Sequence, residues 1–273
     1  MAGDPSVPSG YLVADYDVTR TLLIDADIIA YMSAAGNEQN IDWGDGVTSH
    51  HADFDASKEK AADEIAYLVT HLKADHALIC LSDDFENFRN GVWAPYKKNR
   101  VSSRRPEHLY DMKEWLTDNY DTRWTATLEA DDVMGILATE PHDGERIIVS
   151  EDKDMRTIPA LVYHPHRPKN GVMKITELDA TRFLFWQTIC GDPTDGYPGV
   201  KGVGKGSPFA TDVLEAEDEL EAWEHVLDAY QSKGKPESDA VIQCNLARIL
   251  KHGEYAEGRV VPWVQPYLEK EVN

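Results

Sequence analysis

The chain has 273 residues, 42% of them apolar, with 49 acidic residues against 27 Lys and Arg and a formal net charge of −22. This length suits one large domain or a domain with an appended helical part, and the apolar fraction supplies a buried core. No apolar stretch approaches bilayer-spanning length, which excludes a membrane-spanning helix.

Taken in chain order, the first twenty residues include Asp4, Pro5, Pro8, Ser9 and Gly10 and lack a basic start followed by an apolar run. They read as a loose tail over 1–19 rather than a signal peptide. The run from Thr21 to Asp25 predicts a buried strand, followed by a helix through Ile28 to Ala35. Ala61, Ile65, Leu68, Val69 and Leu72 recur at helical spacing, so about 58–73 is expected to be an amphipathic helix. Residues 76–82 predict a second strand. Pro106 is expected to open a helix with Leu109, Met112 and Leu116 on one face. Residues 123–128 and 146–150 read as two more strands, separated by a helix carrying Val133, Met134 and Leu137. Strands alternating with helices indicate an α/β fold with a mostly parallel central sheet flanked by helices. From about Thr176 the pattern turns helical, with Phe183, Trp186 and Ile189 on one face and Leu220, Trp223, Leu227 and Tyr230 on another. The expected organisation is a tail over 1–19, an α/β core over 20–176 and a helical part over 177–273. Cys80, Cys190 and Cys244 sit in apolar surroundings without metal-ligand or paired spacing, as expected of a reduced, intracellular, soluble protein.

The acids are not scattered evenly. Asp25 ends the first predicted strand, with Asp27 beyond it, and Asp83 and Asp84 follow the second. Glu129, Asp131 and Asp132 follow the third, and the fourth runs into Glu151, Asp152 and Asp154. Asp192 and Asp195 lie in GDPTDG, where the helical part begins. In open α/β sheets ligands bind beyond the carboxyl ends of the strands, so these groups should converge on one cleft. Two carboxylates about 4 Å apart repel by roughly 4 kcal/mol at an effective dielectric near 20. Such a cluster must take up protons or bind cations, and all-oxygen ligands suit Mg²⁺ or Mn²⁺. Two such ions can activate a water and stabilise the leaving oxygen of a phosphodiester. Any single Asp after a strand is more often a turn former or helix cap, and Asp27, Asp84, Asp132 and Glu151 also fit that role.

Between Asn87 and Pro106 there is no acid, while Arg89, Lys97, Lys98, Arg100, Arg104 and Arg105 supply six positive charges. A basic block in so acidic a chain suggests a local anion site, with Tyr96 able to stack on a base; a solvated charged loop is the duller alternative. GVKGVGKG, Gly199 to Gly206, has no Walker spacing and follows no predicted strand. It joins two predicted helices, with Ser207 and Pro208 placed to start the second, as in helix–hairpin–helix modules that grip duplex DNA by its backbone. His50, His51, His164 and His166 match no standard metal spacing and read as surface or structural residues.

In order along the chain, LLIDAD, LSD, YKKNR, EADD, VSEDKD, GDPTDG and GVKGVG resemble the flap endonuclease and 5′→3′ exonuclease family. The likeness spans roughly 21–215 and is closest to the short bacteriophage members and the nuclease domains of bacterial DNA polymerase I. It implies a PIN-like nuclease fold with a basic arch over about 84–106 and a helix–hairpin–helix turn over about 191–215. It also implies two Mg²⁺ or Mn²⁺ ions: one at Asp25, Asp83, Glu129 and Asp131 with Asp132 nearby, the other around Asp152, Asp154 and Asp195, with Asp192 acting through water. Lys97 and Arg100 match the family's phosphate-steering pair, and Tyr96 the aromatic beside it. Lys98, Arg104, Arg105, Gly199, Gly202, Gly204 and Lys205 complete the expected DNA contacts, with a K⁺ ion near Gly199–Gly204.

The implied activity is hydrolysis of DNA, or of RNA in hybrids, from 5′ ends or flaps. The implied setting is a monomer in the cytoplasm of a phage-infected host, working in DNA replication. A PIN-type ribonuclease is the first alternative, although such domains lack the glycine turn joined to GDPTDG. A catalytically silent protein that binds branched DNA is the second, and the full acid set counts against it. Three departures stand out. The segment between Asp83 and Glu129 implies a short or partly disordered arch, Gly206, Ser207 and Pro208 replace the KTA of many members, and the last fifty or so residues match nothing assignable.

Overall fold

A computed structural model describes residues 18–44, 48–102 and 104–266, so most of the expected N-terminal tail lies outside the described residues. The first apolar run becomes β1 (Arg20–Asp25), in which Leu22, Leu23 and Ile24 are each 1% exposed or less. A strand covered on both faces carries a continuous apolar run rather than an alternation. Its side chains still divide by parity, Leu22 and Ile24 packing in one core and Leu23 in another.

The first core lies beneath α1 (Ala26–Gly36), α2 (Phe54–His71) and α4 (Leu109–Asn119). Between α1 and α2 stands a hairpin of β2 (Glu38–Asp42) and β3 (Thr48–Ala52). After α2 come β4 (His76–Cys80), the single turn α3 (Arg89–Val92), α4 and the two-residue β5 (Thr122–Arg123). The second core forms against α5 (Ala130–Thr139), which leads into β6 (Glu145–Val149), β7 (Leu161–Tyr163) and β8 (Val172–Lys174). The sheet order is β5-β4-β1-β6-β7-β8, parallel throughout except for β8. The chain leaves β1 toward β4 and later returns to its other side as β6, so the topological switch falls beside β1. Asp25 pairs with Cys80 and Ile24 with Val149, which brings the strand ends that carry the acids to one edge.

Two expected elements differ. Of the expected strand over 123–128 only Arg123 joins the sheet, paired beside Thr122 in β5. The rest folds as a loop with Thr127 at φ 68°, its backbone held by the Asp83 carboxylate and by Leu128 O to Asp83 N. Pro106 precedes α4 instead of opening it; Leu109 N bonds to Pro106 O and the helix starts at Leu109.

The helical part comprises α6 (Glu177–Cys190), α7 (Pro208–Glu215), α8 (Glu219–Gln231) and α9 (Glu237–Ala247). Ser207 caps α7 by accepting Ala210 N, with Pro208 at its first position. Phe185, Trp223 and Trp263 meet at centroid distances of 4.9 to 5.9 Å in the core of this part. Beyond α9 the chain returns to the sheet, burying Ile249 and Leu250 in the second core, and then forms a short hairpin of β9 (Tyr255–Ala256) and β10 (Arg259–Val260). The last fifty residues are therefore partly core of the α/β unit. Among the described residues no helix is long and apolar enough to cross a membrane.

One buried ion pair ties these pieces together. Arg89 reaches both oxygens of Asp132 at 2.7 Å, and its remaining donors bond Leu246 O at 3.1 Å, Arg248 O at 2.7 Å and Glu129 Oε2 at 3.2 Å. Arg89→Ala would leave a carboxylate of zero exposure without its counter-charge. Urea unfolding is expected to show a loss of about 3–5 kcal/mol, and a loss below about 1 kcal/mol would show that the pair does not join the parts. Gly135 tests the same junction, because a Cβ there would lie 2.4 Å from Leu250 O and 2.8 Å from Ile249 Cγ2. Gly135→Ala is expected to destabilise by about 1–3 kcal/mol despite alanine's better helix propensity.

Candidate active site

Asp25 sits where β1 turns into α1 and is buried, its Oδ2 accepting the Ser150 hydroxyl at 2.9 Å. The same hydroxyl oxygen accepts Asp152 N at 3.1 Å, which couples the ends of β1 and β6. Burial, then the charge of Asp27, pushes the Asp25 carboxyl up to about 7, with Asp152 adding to the rise. Asp131, in the first turn of α5, is driven well above the usual range by burial and by Asp25 and Asp152. Burial and then Asp152 also raise Asp154. Asp25, Asp131, Asp152 and Asp154 therefore form one mutually repelling group.

A second set of acids is neutralised by the protein itself. Burial alone would raise Glu129, but Lys97 and then Arg89 overcome it and hold the carboxyl at about 2. Asp195 accepts Arg100 Nη2 at 2.5 Å, although burial outweighs the cations and keeps its carboxyl raised. Burial of Asp192 is overcome by Lys153, 2.5 Å from Oδ2, and by Thr194 N, so its carboxyl is lowered. Lys153 also lies 2.8 Å from Asp154 Oδ1, which accepts Gln187 Nε2 at 2.6 Å as well. Lys113 bridges Asp27 and Asp84 at 2.8 and 2.5 Å. Tyr96, Glu129, Asp131, Asp154, Asp195 and Tyr197 line one small cavity.

The structure places the expected residues in different surroundings. Asp83 is occupied by its own loop: Oδ2 accepts Thr127 N at 2.8 Å and Oδ1 accepts Phe85 N at 2.9 Å, which lowers its carboxyl. Asp132 is fully buried, paired with Arg89 and bonded to Glu129 N and Leu250 N, so it has no free oxygen for a metal. Tyr96 is 3% exposed with its hydroxyl 3.0 Å from both Glu129 Oε2 and Asp195 Oδ2, so its ring offers no face to a base. Arg89 is buried and withdrawn from the basic block. Gly199 is a packing glycine: its Cβ would lie 2.3 Å from Ile189 O, and its N–H is taken by Gln243 Oε1 at 2.8 Å. Gly202, Gly204 and Lys205 are exposed on the turn, Lys205 lying 5.6 Å above the Trp186 ring.

The basic segment rests on the GDPTDG turn. Lys97 N bonds to Asp195 O at 2.7 Å, and Asn99 Nδ2 to Pro193 O at 2.8 Å. Lys97 adopts φ 55°, and its amine contacts Glu129. Lys98 is exposed, Arg104 contacts His50 and Glu38, and Arg105 points to Tyr110. Sequence reasoning missed Lys153, Lys113 and Gln187. Lys153 carried a signal as the one cation inside SEDKD, whereas Gln187 reaches Asp154 only through the tertiary fold.

Among the described residues no three His, Cys, Asp or Glu side chains are gathered closely enough to ligate a metal as they stand. Lys97, Arg100 and Lys153 are paired with Glu129, Asp195, Asp154 and Asp192 instead. The donors nevertheless fit a hard cation: all are oxygens, and Asp25, Asp131 and Asp154 carry repulsion that a positive ion would relieve.

Comparison with known proteins agrees with this architecture. The exonuclease of Escherichia phage T7 is 28% identical over 269 residues, covering 86% of this chain and 89% of its own. The flap endonuclease Xni of Shewanella halifaxensis is 28% identical over 170 residues, covering 57% and 66%. The crystal structure of the T5 D15 protein with metal ions superposes with a TM-score of 0.60 at 15% identity, over 84% of this chain and 88% of that one, and shows the shared fold. Residues 20–175 match the model of the 5′-3′ exonuclease N-terminal resolvase-like domain, and the chain belongs to that family.

Proposed function

We propose that the chain is a divalent-metal-dependent 5′→3′ nuclease that hydrolyses phosphodiester bonds at 5′ ends or flaps of DNA. The observation that carries this reading is the group of Asp25, Asp131, Asp152 and Asp154 at the switch point of the sheet, where burial and neighbouring acids raise the carboxyls of Asp25, Asp131 and Asp154. In this reading these carboxylates hold two Mg²⁺ or Mn²⁺ ions, with Asp192 and Asp195 beside them. Divalent ions, when bound, supply a water acidic enough to attack phosphorus and positive charge for the leaving oxygen.

The remaining work falls to side chains of this protein. Lys97 and Arg100 exchange their carboxylate partners for phosphate oxygens and offset the charge that builds there. Tyr96 and Arg89 hold Glu129 in place from below the cleft. Gly202, Gly204 and Lys205 present the exposed turn to the duplex backbone, which gives grip without sequence reading. The protein acts as a monomer in the cytoplasm, and the acidic remainder of its surface faces away from DNA.

A duplex with a 5′ single-stranded flap, labelled at the 3′ end of the flapped strand, tests the reading directly. Cleavage is expected with Mg²⁺ and none with EDTA, and the ladder or junction cut separates exonuclease from flap endonuclease. Binding without cleavage would instead indicate a silent branched-DNA binder, and cleavage of RNA alone a PIN-type ribonuclease. Asp152→Asn is expected to abolish cleavage while sparing binding; full activity there would remove Asp152 from the metal site. Lys97→Ala is expected to lower turnover at saturating substrate on the order of a hundredfold. Unchanged turnover would return the basic segment to the status of a solvated loop.

A further inference from the structure

Tyr197 follows GDPTDG directly and is 2% exposed. Its backbone is fixed by the turn itself, Asp192 N bonding to Tyr197 O at 2.9 Å and Tyr197 N to Asp192 O at 3.2 Å. The side chain lines the same small cavity as Asp131, Asp154 and Asp195. Its hydroxyl is buried and has no hydrogen-bond partner among the described residues. Burial and the nearby charges of Asp154, Asp192 and Asp195 all push that hydroxyl toward keeping its proton. A second buried polar atom without a partner, Gln187 Oε1, belongs to the side chain whose Nε2 already holds Asp154.

Leaving an O–H buried and unpaired is unfavourable, and native proteins do so rarely unless something else completes the bond. Lys153, Arg100, Gln187 and Tyr96 pair with Asp192, Asp195 and Asp154, and no described protein group accepts the Tyr197 hydroxyl. A cation such as Mg²⁺ dehydrates reluctantly and keeps several waters when carboxylates bind it.

We propose that Tyr197 is a positioning residue of the metal site, its hydroxyl hydrogen-bonded to a water carried by the cation that the acid group holds. This inference rests on the metal-dependent reading above. The hydroxyl orients the hydrated cation while contributing nothing to the metal-free fold. Groups that orient a bound metal from outside its ligand set typically change affinity by about 10- to 100-fold when removed.

Tyr197→Phe deletes only the oxygen and keeps the packed ring. Tyr163→Phe is the control, because the Tyr163 hydroxyl is likewise buried and unpartnered among the described residues but its ring packs in the first core beside His71 and does not line the cavity that Tyr197 shares with the acids. Calorimetric titration of the full chain with Mg²⁺ and with Mn²⁺, beside thermal melts with and without each ion, reads the effect independently of activity. Tyr197→Phe is expected to melt at or above the wild-type temperature without metal and to bind the ions about tenfold more weakly, while Tyr163→Phe binds them like the wild type. Equal affinity of Tyr197→Phe and the wild type would overturn the inference alone, as would equal weakening in Tyr163→Phe. Absence of metal binding by the wild type would overturn the metal reading and this inference together.

Discussion

The bidentate contact between Arg89 and Asp132 is the constraint on which the site depends. Asp132 occupies the first turn of α5, where its carboxylate also accepts Glu129 N, so it sets the helix start that presents Glu129 and Asp131. Arg89 begins the basic segment and reaches across to the carbonyls of Leu246 and Arg248. Three stretches remote in sequence are thereby held around one guanidinium. A buried pair of this kind contributes little net stability compared with an apolar substitute, but it is severely destabilising when one partner is lost. Its value here is geometric: a planar fork admits only one arrangement of the elements it joins.

Around that pair the acids divide into two populations with different electrostatic states. Glu129 and Asp192 are neutralised by lysines that the chain itself supplies, and their carboxyls are lowered. Asp25, Asp131 and Asp154 lack sufficient compensation, and burial raises them. A cation would gain most beside this second population, where repulsion is greatest. The net charge of −22 thus conceals an ordered arrangement in which cations are spent inside the cleft.

Much of the sheet was legible because its strands are covered on both faces, and continuous apolar runs such as Leu22 to Ile24 have few other stable solutions. The acids at the strand ends were legible for a related reason, since parallel strands align their carboxyl ends. The hairpin of β2 and β3 was not, because EQNID and TSHHA bury little apolar surface and carry no alternation. Residues 124–128 read as a strand from their composition, but the Asp83 carboxylate competes for their backbone donors and draws them into a loop. The surroundings of Arg89, Tyr96 and Gly199 were not legible because a motif gives residue type and order without saying which way a side chain turns. Tyr96 turns inward to two carboxylates, and Gly199 packs against the end of α6.

The return of the chain after α9 bears on how the protein comes into being on the ribosome. Ile249 and Leu250 complete the second core, and the carbonyls of Leu246 and Arg248 complete the shell around Arg89. A nascent chain that ends before these residues has an α5 uncovered on one side and a guanidinium short of acceptors. Native-like helices and strands form early in such a chain, but the parts docked through Arg89 close only once the C-terminal stretch has emerged. Contacts this remote in sequence also slow folding, since the loop between them must be closed first. Assembly of the acid cleft is thereby tied to the emergence of residues 246–250, and a product truncated before them carries the motifs without the geometry.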